Sequence, residues 1–180
     1  ASSPINRLYY LDAFFRRERP QRGRFRQFHQ LGIEAIGSEN PEQDAEVIAV
    51  AYSLCKELGL SNVVTKINSI GSSESRVGYS NALKEFLAPH ADKLSDTSRG
   101  RMETNPLRIL DTKVPDEIEI IKDAPIISDF LDDGDRKHFE EVLETMESLG
   151  LKYEIDPRLV RGLDYYNRTT FEMVSSDLGS

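Results

Sequence analysis

The stretch Arg24-Phe25-Arg26-Gln27-Phe28-His29-Gln30-Leu31-Gly32-Ile33-Glu34-Ala35-Ile36 alternates with a period of two, as a β-strand does when its faces meet different surroundings. Phe25, Gln27, His29, Leu31, Ile33 and Ala35 point one way, and most of them suit a core. Arg24, Arg26, Phe28, Gln30, Gly32, Glu34 and Ile36 point the other way, where a glutamine, a glycine and a carboxylate alternate in mid-strand. Glycine weakens a strand interior, and its common justification is the close approach of a ligand or of another backbone. Gln30, Gly32 and Glu34 therefore read as a small polar floor, whose amide and carboxylate suit a ligand carrying N–H donors.

Upstream, residues 8–15 are rich in Tyr, Leu and Phe, and residues 19–23 carry the Pro and Gly of a loop, so the two strands form an antiparallel hairpin. Phe14, Arg16 and Glu18 share a face of the first strand, and normal pairing would set Arg16 and the floor along one cleft. Arginine suits planar, bidentate contacts to phosphate. The plainer alternative is a ladder of charges, Arg16 with Glu18 and Arg26 with Glu34, that binds nothing.

Beyond the hairpin, apolar residues three or four apart predict a helix over 42–58, with Gly59 placed to end it. Residues 62–68 read as a strand, 72–87 as a helix, 135–149 as a long helix closed by Gly150, and 151–155 and 169–174 as strands. Between residues 89 and 127 come short polar helical pieces broken by prolines, with those at 95–102 and 116–122 reading as too short to be core elements. The pattern is α+β: an antiparallel sheet flanked by helices, with a small, mostly helical insertion.

With 180 residues and a net charge of -8, the chain is sized for one domain and poorly suited to indiscriminate nucleic-acid binding. Six arginines nonetheless fall between Arg16 and Arg26, a local basic patch that suggests a specific anionic ligand. No apolar run is long enough to span a bilayer, nothing near Ala1 reads as a signal peptide, and the lone Cys55 sits in an apolar helical pattern as a buried thiol; the cytoplasm is the expected compartment. No His/Cys/Asp spacing suggests zinc.

A second cluster runs Arg161-Gly162-Leu163-Asp164-Tyr165-Tyr166-Asn167-Arg168-Thr169 into the last strand. It resembles the histidine-binding motif of histidyl-tRNA synthetases, and residues 15–30, Phe-Arg-Arg-Glu-Arg-Pro-Gln-Arg-Gly-Arg-Phe-Arg-Gln-Phe-His-Gln, resemble motif 2 of class II aminoacyl-tRNA synthetases in its histidine-specific form. Asn68-Ser69-Ile70-Gly71-Ser72 and Thr104-Asn105-Pro106-Leu107-Arg108-Ile109-Leu110-Asp111 agree with that family too. The resemblance implies an ATP site in which Arg16 holds the α-phosphate, Glu18 reads the adenine edge, Phe28 stacks on the base and Arg24 reaches the terminal phosphate. It implies a histidine site of Gln30, Glu34, Tyr165 and Tyr166, with Arg161 holding the substrate carboxylate and the α-phosphate together, so that Arg16 and Arg161 are the catalytic pair. ATP with Mg²⁺, L-histidine and tRNA(His) are the implied substrates and partners, in a homodimeric full-length enzyme.

In family terms the chain divides into core residues 1–72, an insertion at 73–127 and core residues 128–180. The family's motif 1, motif 3 arginine and anticodon-binding domain lie outside it, so the chain reads as a central part of the catalytic domain, with little or no aminoacylation expected of it alone. His29, opposite in parity to the floor, is expected to be structural or at a subunit contact. Two rivals use the same framework: the synthetase-like, histidine-sensing regulatory subunit of ATP phosphoribosyltransferase, and a synthetase-like domain that binds uncharged tRNA and controls a kinase. The presence of Gln30, Glu34, Arg161, Tyr165 and Tyr166 favours the enzyme over the first.

Overall fold

The computed structural model describes residues 5–17, 19, 20, 23–161 and 165–176. Strands β1 (Asn6–Phe15) and β2 (Gln27–Ile36) pair antiparallel as a two-stranded ribbon. Helix α1 (Pro41–Glu57) follows, with proline in its first turn and Gly59 beyond its end at φ 87°. There Gly59 N–H bonds to Lys56 and Leu60 N–H to Cys55, a paired closure that glycine permits because it enters the left-handed region freely.

Strand β3 (Val63–Ser69) lies between β4 (Tyr153–Ile155), which runs parallel to it, and β5 (Thr169–Ser175), which runs antiparallel. Flanked on both edges, β3 is buried along most of its length, which suits its run of β-branched residues. Helix α5 (Asp133–Ser148) packs beside α1 across this sheet, and Ala45, Ile48, Ile67, Val142 and Met146 form one closed cluster. His138 of α5 is buried with Nε2 3.0 Å from Asp44 Oδ2, a tie to α1 that the sequence did not reveal. Cys55 is half-buried rather than fully inside, 3.8 Å from the sulfur of Met173.

Helices α2 (Ser73–Leu87), α3 (Asp96–Thr104) and α4 (Pro115–Ile121), with 3₁₀ turns between them, enclose a second and larger cluster. Tyr79, Leu83, Leu87, Ile109 and Ile127 are essentially inaccessible in it. The two short helices are core elements after all. Ile121 of α4 joins the cluster, and Glu117, fully buried, accepts from Ser95 N–H (2.7 Å), Ser98 Oγ (2.9 Å) and Thr112 Oγ1. Its carboxylate thus binds α4 to the first turn of α3, where exposed N–H groups and the helix dipole favour negative charge. Length alone missed this, because a single satisfied carboxylate fixes two helices that sequence periodicity treats as separate.

The hairpin departs from the expectation of a core face. Tyr9, Leu11 and Phe15 are 80%, 67% and 75% exposed, and Phe25 and Leu31 are exposed as well. The end nearest α1 is tied down by Arg7 donating twice to Glu46 at 2.6 and 2.8 Å.

Candidate functional site

The register decides which side chains meet. Phe14 pairs with Phe28, Asp12 with Gln30, Tyr10 with Gly32 and Leu8 with Glu34, and directly opposed residues of an antiparallel pair share a face. Gln30, Gly32 and Glu34 therefore share one face of the ribbon with Leu8, Tyr10, Asp12 and Phe14. Arg7, which holds α1, has the other parity, so α1 lies under the opposite face.

At the loop end, the Arg16 guanidinium lies 3.8 Å from the centre of the Phe28 ring, and Phe14 stands 6.0 Å from Phe28. A guanidinium over an aromatic face is attractive and keeps its N–H edge available for hydrogen bonds. Arg16 Nε is buried and has no hydrogen-bond partner, a donor left open beside that ring. Arg24 is exposed in the loop, and Glu18 lies outside the described residues.

In mid-strand, Tyr10 covers Gly32. A Cβ at residue 32 would overlap the Tyr10 ring, and the Tyr10 hydroxyl accepts from Gln30 Nε2 at 3.0 Å. The glycine does mark a close approach, but a neighbouring ring makes it. Tyr10 and Asp12 were absent from the sequence reading, although the parity that joined Phe14 to Arg16 reaches both when followed backwards.

At the far end the second motif arrives. Tyr165 and Tyr166 stack with ring centres 4.8 Å apart, and the Arg161 guanidinium lies 5.4 Å from the Tyr166 ring. Hydrogen bonding to Tyr166 is the main influence holding the Tyr165 phenol above its ordinary pKa; Glu34 adds to this and Arg161 opposes it, so all four groups share one electrostatic neighbourhood. Arg161 also donates to Glu172 at 3.0 Å. Residues 162–164, between Arg161 and the tyrosines, lie outside the described residues.

Arg161 opens onto a groove of about 440 Å³ lined by α2 and the turn around Pro106, including Arg76, Asn81 and Asn105. A smaller recess beside it gathers Arg101, Arg108 and Arg161. These arginines are scattered along the sequence, so no charge run announced them. The site thus joins a basic groove, a stacked phenol pair and a carboxylate-bearing strand face, a combination able to hold an anionic group and an N–H-bearing ring together.

The structure superimposes on apo histidyl-tRNA synthetase from S. aureus with a TM-score of 0.71 at 38% identity, over 93% of this chain and 38% of that one. A protein from Bacillus halodurans described as an ATP phosphoribosyltransferase regulatory subunit/histidyl-tRNA synthetase matches at TM-score 0.62 over 99% of this chain and 50% of that one, but at 23% identity it shows the fold alone. The α+β architecture is that of class II aminoacyl-tRNA synthetases. The family model for histidyl-tRNA synthetase matches residues 1–180. Histidine–tRNA ligases from Chloroherpeton thalassium and Protochlamydia amoebophila are each 50% identical, over 179 and 178 residues. The chain belongs to the histidyl-tRNA synthetase family. It spans about two-fifths of the length of these curated relatives, 42% of each, and 99% of the chain is matched in both.

Proposed function

We propose that this chain carries the ATP- and histidine-binding part of a histidine–tRNA ligase, active as a homodimer in the cytoplasm, with residues 73–127 as an insertion between core residues 1–72 and 128–180. The single observation that carries the reading is the gathering of Arg161 over the stacked Tyr165–Tyr166 pair, with the Glu34 charge near enough to influence the Tyr165 phenol. The 50% identity to proteins named as ligases supports it, whereas the regulatory-subunit alternative is matched at the level of fold. The described residues contain no helix long and apolar enough to cross a membrane.

In this reading the histidine carboxylate attacks the α-phosphorus of ATP and pyrophosphate leaves; a hydroxyl of the tRNA 3′-terminal adenosine then attacks the histidyl-adenylate and releases AMP. Such chemistry depends on positioning and on fixed charge where charge develops. Arg16 and Arg161 would supply that charge, Phe28 and Glu18 would hold adenine, Arg24 the terminal phosphate, and Gln30, Glu34, Tyr165 and Tyr166 the amino acid. The basic groove beside Arg161 would take the tRNA end. Mg²⁺ on the nucleotide's phosphates would supply the rest of the charge stabilisation.

Histidine-dependent exchange of pyrophosphate into ATP by the full-length protein is the test. Exchange with histidine and with no other amino acid is the expected result; its absence in a folded protein would return the chain to the regulatory readings. Arg161→Ala should slow exchange by roughly 100-fold or more, the scale of losing one preorganised donor to a developing charge. A rate within about threefold of the parent would remove Arg161 from the mechanism.

A further inference from the structure

The segments that flank the second motif are tied to one short stretch, the last residues of β3 and those just after it. At its start, buried Asn68 donates Nδ2 to the carbonyl of Leu159 at 3.1 Å. At its finish, Ile70 N–H donates to the Arg168 carbonyl at 2.8 Å and Arg168 N–H to the Gly71 carbonyl at 3.0 Å. Arg76, in the first turns of α2, donates to the carbonyl of Tyr166. Arg168 itself sits at φ 53°, the left-handed region that side chains other than Asn and Asp seldom enter. Such a backbone persists only where its surroundings over-determine it.

Asp135 is the group placed to do so. It is 2% exposed, in the first turn of α5, and its two oxygens face different ways. Oδ2 accepts from Ser72 N–H at 2.6 Å and Ser75 Oγ at 2.8 Å, while Oδ1 lies 3.4 Å from Arg168 Nε. That nitrogen is buried and has no hydrogen-bond acceptor, so the Asp135 charge is what faces it. Capping does not explain the arrangement, because Asp132 caps α5 and Ser72 caps α2. Burial alone would push the Asp135 carboxyl up; the Ser72 and Ser75 donors and Arg168 reverse this and keep it ionised.

We propose that Asp135, acting through Arg168, is a positioning residue that holds the Tyr165–Tyr166 pair in place and so tunes histidine binding without touching substrate. The inference rests on the histidine-activating reading above. A shift of about 1 Å in a binding group costs up to roughly 100-fold in rate, so a remote support of this kind is measurable.

The test is pyrophosphate exchange by full-length Asp135→Asn, which preserves shape and an oxygen for Ser72 and Ser75 while removing the charge. The expected result is a KM for histidine raised about tenfold or more, with the KM for ATP within about twofold of the parent. Arg168→Lys, which keeps a cation, should stay closer to the parent than Arg168→Ala, and this pair carries the test if Asp135→Asn fails to fold. An unchanged histidine KM, an equal rise in both KM values, or equal effects of Arg168→Lys and Arg168→Ala would overturn the proposal. A folded parent without histidine-dependent exchange would instead sink the functional reading, and this inference with it. The two failures differ in whether parent or variant is at fault.

Discussion

In the helical segment from α2 to Leu131 most of the large apolar side chains are inside, Val77, Val114 and Ile126 excepted; in the hairpin they are largely outside. Leu83 and Leu87 are inaccessible, while Leu11 is two-thirds exposed on a ribbon of ten residues a side. A two-stranded ribbon is at best marginally stable alone in water, whereas a closed cluster of buried side chains supports itself. The difference teaches where each region takes its order from. The helical segment is fixed by volume, and the hairpin by cross-strand pairs such as Tyr10 with Gly32 and by its tie to α1. The polar floor lies on the region whose packing leaves a face open for something else.

The sharpest way to break this contrast is a pair of truncations followed by urea denaturation. Leu83→Ala should cost about 2–5 kcal/mol, the range for emptying a buried leucine site, and Leu11→Ala should stay within about 0.5 kcal/mol. Comparable losses would show that the hairpin is as closely packed as the helices.

Glu117 offers the next largest effect. Burial would raise its pKa, but the bonds from Thr112, Ser95 and Ser98 prevail and hold it at about 2, below the ordinary glutamate value of 4.5. A group depressed on folding stabilises the protein fully above its unfolded pKa and progressively less as pH falls through the folded one. Thermal stability should therefore decline between pH 4.5 and about 2. Glu117→Gln should lower stability at pH 7 by roughly 1–3 kcal/mol, the range for an unsatisfied buried donor, and flatten that acid limb. An unaltered acid limb in the variant would assign the decline to other carboxylates.

Tyr10→Phe should do least. It deletes the acceptor for Gln30 while leaving the ring over Gly32, a net loss near the lower end of 0.5–1.5 kcal/mol for a part-exposed hydrogen bond. The histidine KM in pyrophosphate exchange should rise by no more than about threefold. A tenfold rise would make Tyr10 a direct ligand contact and extend the site onto β1.

Much of the element order was legible because it is written in local periodicity and punctuation. Gly59 and Gly150 ended helices as expected, and the strand after the Tyr pair lies where its β-branched residues put it. The faces of β2 were legible for the same reason, since parity is a property of the chain alone. The environment of those faces was not. Whether Leu31 and Phe25 are covered depends on distant surfaces, and their sequence pattern is the same either way. The parallel pairing of β4, the joining of α3 to α4 through Glu117 and the approach of Asp135 to Arg168 are also long-range facts. Arg76 and Arg108 escaped notice as neighbours of Arg161 because only folding brings them there. Phe28, Gln30 and Glu34 share a strand face as their parity requires, and of the residues that tie down the second loop Asn68, Ile70, Gly71 and Arg168 fell within quoted motifs, whereas Arg76 and Asp135 did not.

The ring of Tyr10 over Gly32 has a consequence for how such a sequence can change over generations. A side chain placed first at position 32 must push the Tyr10 ring aside. The reverse order is open: shrinking residue 10 leaves a cleft that a later side chain at 32 could fill. The two strands therefore carry a directional dependence, in which a change at residue 10 eases a later one at residue 32.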